Sequence, residues 1–326
     1  MSNHHGYVDV KLMSRAYPGQ HQHEYSTVQP MTGETIISVQ NLVKSFDGRV
    51  VLDGINLDVS QGETMVIMGG SGSGKSTLLR HMIGSLIPDS GKVILFGQNI
   101  CELSDEEMDE VRKKFGILFQ SGALFNSMTI AENVALPLLE HTELDSAIVD
   151  IQVKIKLEQV GLREHADKYP SQISGGMKKR AGLARALALD PRLLFYDEPS
   201  AGLDPVTSAE IDQLILGLTR KLGVTSVVVT HEMHSAFTIA DRMAMLHKGK
   251  MLIVEKKSYF ENLRDIPAPE AEKLPEEKQI IRQFLRGDAD GPITKYRAAT
   301  NYADDLLGTP ALPPLHHPSI EPTKSG

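Results

Sequence analysis

The run Gly69-Gly70-Ser71-Gly72-Ser73-Gly74-Lys75-Ser76 fits the pattern G-x-x-x-x-G-K-S, and Thr77 follows it. Such a run can cradle a chain of phosphates. Its glycines let backbone N–H groups turn inward where side chains would clash. Lys75 brings positive charge to the β- and γ-phosphates, and Ser76 offers a hydroxyl to Mg²⁺. A second string, Leu193-Leu194-Phe195-Tyr196-Asp197-Glu198-Pro199, is apolar and ends in two acids. Asp197 is placed to hold Mg²⁺, directly or through water. Glu198, one step further, is a candidate general base for an attacking water. Together the two strings predict binding and hydrolysis of Mg-ATP.

Both strings need rigid elements behind them. Thr64–Met68 is a short apolar strand that leads into the glycine loop, and a helix is expected from about Lys75. Thr35–Gln40 is β-rich, and Val50–Val59 alternates Ile55, Leu57 and Val59 in strand periodicity. Val93–Phe96 and Ser226–Val229 read as further strands, and Arg242–Glu255 as a hairpin turning at Lys248-Gly249-Lys250. Ser104-Asp105-Glu106-Glu107 is a capping box opening a short helix. The chain reads as mostly helical from about Asn133 to Ala188. Thr207–Leu222 carries a helical stripe of Ile211, Leu214, Ile215, Leu218 and Leu222. Strands alternating with helices predict an α/β core with parallel strands.

Three more segments narrow the class of nucleotidase. Ile173-Ser174-Gly175-Gly176-Met177, Ser200-Ala201-Gly202-Leu203-Asp204 and Thr230-His231-Glu232 resemble the signature, D-loop and H-loop of ABC-transporter ATPases. Their order and spacing resemble that family too, over roughly residues 35 to 255. The resemblance implies a P-loop NTPase fold of the ABC nucleotide-binding type: a RecA-like core, an antiparallel β subdomain, a helical subdomain over about 121–188, and a C-terminal extension. It also implies roles by position. Phe46 matches the aromatic that stacks on adenine. Gln120 matches the glutamine that contacts Mg²⁺ and the attacking water. His231 matches the histidine at the γ-phosphate, and Asp204 the aspartate that communicates across a dimer. Ser174, Gly175 and Gly176 sit where a long helix should start, a ready anion site. With the P-loop already cradling phosphates, a second anion site points to a head-to-tail homodimer that sandwiches each ATP. Ile173 and Met177 depart from the commonest L-S-G-G-Q form, which puts only the details of that trans contact in doubt.

A finer resemblance lies in Phe119–Phe125, Met128–Val134 and Ile173–Arg180, and in a tail segment Gln283-Phe284-Leu285-Arg286-Gly287 followed by Ala289-Asp290-Gly291-Pro292. These are similar to Mla-type phospholipid-transport ATPases. The implied setting is the cytoplasmic face of an inner membrane. The implied partners are a transmembrane permease, an MCE-domain lipid-binding protein and a small STAS-domain protein, and the implied task is maintaining outer-membrane lipid asymmetry. Another cargo, or an accessory ATPase of iron–sulfur assembly, remains as an alternative. A DNA-repair type would need a long coiled coil, and the segment between Gly74 and Ser174 shows no sustained heptads.

The bulk numbers agree with that frame. The chain has 326 residues, 41% hydrophobic content and a net charge of -8, which argues against a nucleic-acid binder. Cys101 is the one cysteine, so no intrachain disulfide can form and a reducing compartment is expected. No apolar run reaches the roughly eighteen residues of a membrane span. Residues 1–33 read as a flexible arm, 34–256 as the ATPase domain, and 257–326 as an extension with one helix at about 275–285. Pro275 is placed at the first helical position. Ile280, Ile281, Phe284 and Leu285 form an apolar stripe that could dock on its own domain or, as the resemblance favours, on a partner protomer. His4, His5, His21, His23, His316 and His317 lack ligand-type spacing. His234 is read as structural, sharing a helix face with His231, and Lys178-Lys179-Arg180 as a solvated helix face.

Overall fold

The computed structural model describes residues 33–294. The terminal histidines, most of the expected arm and the far tail lie outside that range. Ten strands form two sheets among the described residues. In the first, β1 (Thr35–Phe46), β2 (Arg49–Ser60), β4 (Ser90–Leu95) and β5 (Gln98–Asn99) pair antiparallel in the order β2-β1-β4-β5. In the second, β3 (Thr64–Met68), β6 (Phe115–Leu118), β7 (Leu193–Asp197), β8 (Thr225–Thr230), β9 (Arg242–His247) and β10 (Lys250–Lys256) take the order β10-β9-β3-β8-β7-β6. All neighbours in this sheet are parallel except the hairpin of β9 and β10.

The parallel strands are buried on both faces, which is why they read as unbroken apolar runs. Successive side chains leave opposite faces. Met65 and Ile67, Leu193 and Phe195, and Val227 and Val229 enter one core with the antiparallel sheet and with helix α1 (Lys75–Met82). Val66 and Met68, Leu194 and Tyr196, and Val228 enter a second core on the other face. That second core gathers α3 (Ile130–His141), α4 (Ser146–Gln159) and α5 (Gly175–Ala186), inserted between β6 and β7, together with α6 (Pro205–Leu222) and α7 (Met233–Ile239). Helix α2 (Asp105–Arg112) carries the full capping box at Ser104 and Glu107.

Hydrophobic periodicity starts the helical insert near Asn133, whereas α3 begins at Ile130. Thr129 and Glu132 form a reciprocal capping box there. Asn133 is fully buried, and its amide serves Phe125, Met128 and Thr129 of the loop before it.

The C-terminal segment folds as α8 (Lys257–Asp265), α9 (Ala268–Ala271) and α10 (Glu276–Arg286). Pro275 is the residue before the first turn of α10, not its first helical position. In the described chain α10 packs on its own protomer. Ile281 and Leu285 join Phe260 and Leu263 of α8 in the second core. Arg282 forks onto the Ile266 carbonyl with Nε and Nη2 at 3.0 and 2.7 Å. Ile280 and Phe284 of the same stripe stay half-buried.

Candidate functional site

Four adjacent parallel strands deliver the candidate residues. The glycine loop follows β3, His231 follows β8, Asp197 closes β7 with Glu198 just beyond it, and Gln120 lies two residues past β6. In an open α/β sheet, the carboxyl ends of the strands are where ligands bind.

The loop is tight. A Cβ on Gly69 would lie 2.1 Å from the Leu246 carbonyl oxygen, so glycine alone fits there. Lys75 is buried, and its ammonium donates to the carbonyls of Gly69 at 2.8 Å and Gly70 at 3.1 Å. Burial pulls the Lys75 pKa down, and the charges of Glu198 and Asp197 push it back up. Ser73 Oγ is buried without a partner, so the loop presents an unsatisfied polar atom. Gly70, Ser71, Gly72 and Ser76 are partly or fully exposed, Gly74 precedes α1, and Thr77 sits in its first turn. Ser76 supplies a hydroxyl at the positive end of that helix.

The two acids differ. Asp197 is half-buried, and its pKa is pushed up first by burial and then by the charge of Glu198. Arg80, Lys75 and Lys179 pull it back. Glu198 has a left-handed backbone, φ 48°, and its N–H donates to Val229 O at 2.9 Å. Its Oε2 accepts from Thr230 Oγ1 at 3.0 Å, and its Oε1 lies 2.7 Å from His231 Nδ1. A carboxylate only accepts, so Nδ1 carries the proton in this contact. The structure thus gathers Lys75, Asp197, Glu198 and His231 in one place. His231 precedes α7 rather than lying on it, so it shares no helix face with the exposed His234.

Two participants escaped the sequence reading. Thr230, within the H-loop string, donates to Glu198. Lys179, expected on a solvated face, is 5% exposed and donates to the Glu198 carbonyl at 2.9 Å. Three successive basic residues conceal which one turns inward on a helix.

Gln120 is exposed. Arg185 of α5 holds the turn after it, donating to Ala123 O at 2.8 Å and Gly122 O at 3.3 Å. Phe46 is 44% exposed at the end of β1, with the Lys44 ammonium over its ring, 5.6 Å from the centre. Ser174 caps α5 through Met177 N at 3.3 Å and stays exposed beside Gly175. Gly176 is buried, and a Cβ there would meet Thr207 Cγ2 at 2.4 Å. Asp204 caps α6 of its own chain through Val206 N and Thr207 N. The Thr207 hydroxyl first, and then these N–H groups, hold its pKa below the usual carboxylate range. Among the described residues, no hydrogen bond joins Ser174, Gly175 or Gly176 to the glycine loop.

A phosphate cradle, paired acids at strand ends and an exposed helix cap on an inserted helical lobe define a nucleotide-hydrolysing cassette. The chain belongs to the ABC transporter ATP-binding family and is an ATPase that binds ATP. The ABC transporter family model matches residues 52–201. The chain is 42% identical over 274 residues to the intermembrane phospholipid transport system ATP-binding protein MlaF of Haemophilus influenzae, covering 84% of this chain and 99% of the relative. It is also 42% identical over 258 residues to the probable ribonucleotide transport ATP-binding protein mkl of Mycobacterium leprae, covering 79% of this chain and 70% of the relative. Among solved structures it resembles a dimeric post-hydrolysis state of the ATP-binding cassette MJ0796 bound to ADP and Pi. That match has a TM-score of 0.63 at 32% identity, covering 68% of this chain and 98% of the other. No described helix is long and apolar enough to cross a membrane.

Proposed function

We propose that this chain is the ATP-hydrolysing subunit of a phospholipid transporter, acting as a head-to-tail homodimer on Mg-ATP. For the chemistry, the carrying observation is the Glu198 carboxylate held by Thr230 and His231 at the strand ends beside Lys75. Lys75 exchanges its two loop carbonyls for β- and γ-phosphate oxygens. Loop N–H groups from Gly69 to Thr77 and the start of α1 take the remaining charge. Glu198 accepts the proton of the attacking water, and His231 keeps that carboxylate turned and reaches the γ-phosphate. Ser76, Asp197 and Gln120 would supply oxygen donors suited to Mg²⁺, which would neutralise charge building on the phosphates. Phe46 stacks on the adenine. The exposed cap of Ser174, Gly175 and Gly176 completes the site of a second copy, and Asp204 lies at that junction.

The cargo reading rests on similarity to the Haemophilus influenzae relative over 99% of its length, against 70% for the ribonucleotide-named relative. The chain would serve a transmembrane permease from the cytoplasmic face of the inner membrane, with MCE- and STAS-domain proteins in the same complex. Moving phospholipid between inner and outer membranes would maintain outer-membrane asymmetry.

Glu198→Gln is expected to lower turnover about a hundredfold or more while ATP-bound dimers persist on gel filtration. Undiminished steady-state hydrolysis would remove Glu198 from its role. Lipid extraction of the detergent-purified complex should recover phospholipid with a multi-spanning permease. Bound ribonucleotide cargo instead would favour the other reading.

A further inference from the structure

We propose that Lys179 is a positioning residue that ties the signature helix serving one ATP site to the catalytic carboxylate of the other. The inference rests on the head-to-tail dimer and on Glu198 as the base. Helix α5 starts at the exposed Ser174 cap, which in that dimer faces the partner's phosphates. Lys179 lies five residues along the same helix, about 7–8 Å further on. Its side chain does not turn toward the partner. It is buried, and its ammonium donates to the Glu198 carbonyl of its own chain at 2.9 Å.

A lysine so buried needs a partner, and a backbone carbonyl of a residue with φ 48° is an unusual one. Glu198 is held in this conformation from both sides. Its N–H is fixed on Val229 O, and its carbonyl takes Lys179 Nζ together with the Ala201 N–H. Burial lowers the Lys179 pKa, while the charges of Glu198 and Asp197 raise it. Loss of this contact frees the Glu198 peptide to turn and swings its carboxylate off Thr230 and His231. One rigid helix therefore touches both sites of a dimer: the partner's phosphates at its cap, and its own chain's base one turn later.

The test uses the assembled transporter with two differently tagged full-length copies. One copy carries Glu198→Gln, so that only the other copy's base works. Lys179→Met, which keeps the stem and removes the charge, is placed either in the copy with the live Glu198 or in the other copy. The loss should follow the live base. We expect kcat lower by about tenfold with KM within about twofold in the first placement, and a loss of less than about threefold in the second. Lys179→Arg in the first placement should recover most of kcat. Equal losses in both placements, a change in KM alone, or no loss in either would overturn the proposal. Undiminished turnover with Glu198→Gln in both copies would instead overturn the underlying assignment of the base.

Discussion

Asp212 shows how one buried group links the two helices behind the site. It lies on α6, is 1% exposed, and leaves Oδ1 without a partner. Ser235 of α7 hydrogen-bonds its carboxyl, and Ser235 Oγ lies 3.4 Å from Ser200 Oγ at the start of the D-loop. Burial pushes the Asp212 pKa above its usual 3.8, against the smaller pull of Ser235 and His234. The native state therefore holds the proton more tightly than the unfolded chain. Stability falls as pH rises from the ordinary Asp value through the raised native one. Asp212→Asn mimics the neutral acid. It should raise Tm near neutral pH and flatten the pH dependence of Tm across that window, read by thermal unfolding at several pH values. A lower neutral Tm would contradict the sign. None of this was visible in the residue string, where Asp212 sits as one polar letter in a helical stripe. The same holds for Lys179 and Thr230. The glycine loop and the Asp197-Glu198 pair were legible because each is contiguous at one strand end, and His231 through its resemblance to the H-loop. Burial joins residues distant in sequence and leaves no local mark.

At the scale of elements, α5 and α6 meet through a gap that only glycine fills. The Thr207 methyl stands where a Gly176 side chain would be, and the Thr207 hydroxyl is tied to Asp204 at 2.5 Å. Glycine at this place in the signature thus has a packing reason. Gly176→Ala should destabilise the chain by about 1–3 kcal/mol in chemical denaturation, as overpacking does. Adding Thr207→Ser removes the opposing methyl, keeps the hydroxyl, and should return most of that loss. Additive losses would mean that the two sites do not press on each other. The sequence placed these two helices correctly in kind because a long amphipathic stripe and a Ser-Gly-Gly start are local signals. For α10 it left two surfaces open. An apolar face states that something covers it, and only the fold shows that Phe260 and Leu263 already do.

At the scale of the molecule, the proposed ATP site draws on two separate parts of the chain. The glycine loop, Asp197, Glu198 and His231 line the ends of the central sheet, whereas the Ser174 cap stands exposed on the inserted helical lobe. Arg185 of α5 ties the helical lobe to Gly122 and Ala123, just past Gln120.

The composite site is tested most directly by complementation. A copy carrying Lys75→Ala lacks its own cradle but keeps an intact Ser174 cap. A copy carrying Ser174→Arg has the reverse defect. Each should be inactive as a homodimer. In a mixed dimer, one site receives both defects and the other receives none, so each mixed dimer should hydrolyse ATP at about half the wild-type rate, and an equal random mixture at about a quarter. Mixed dimers as inactive as either parent would show that the pocket is not shared between copies.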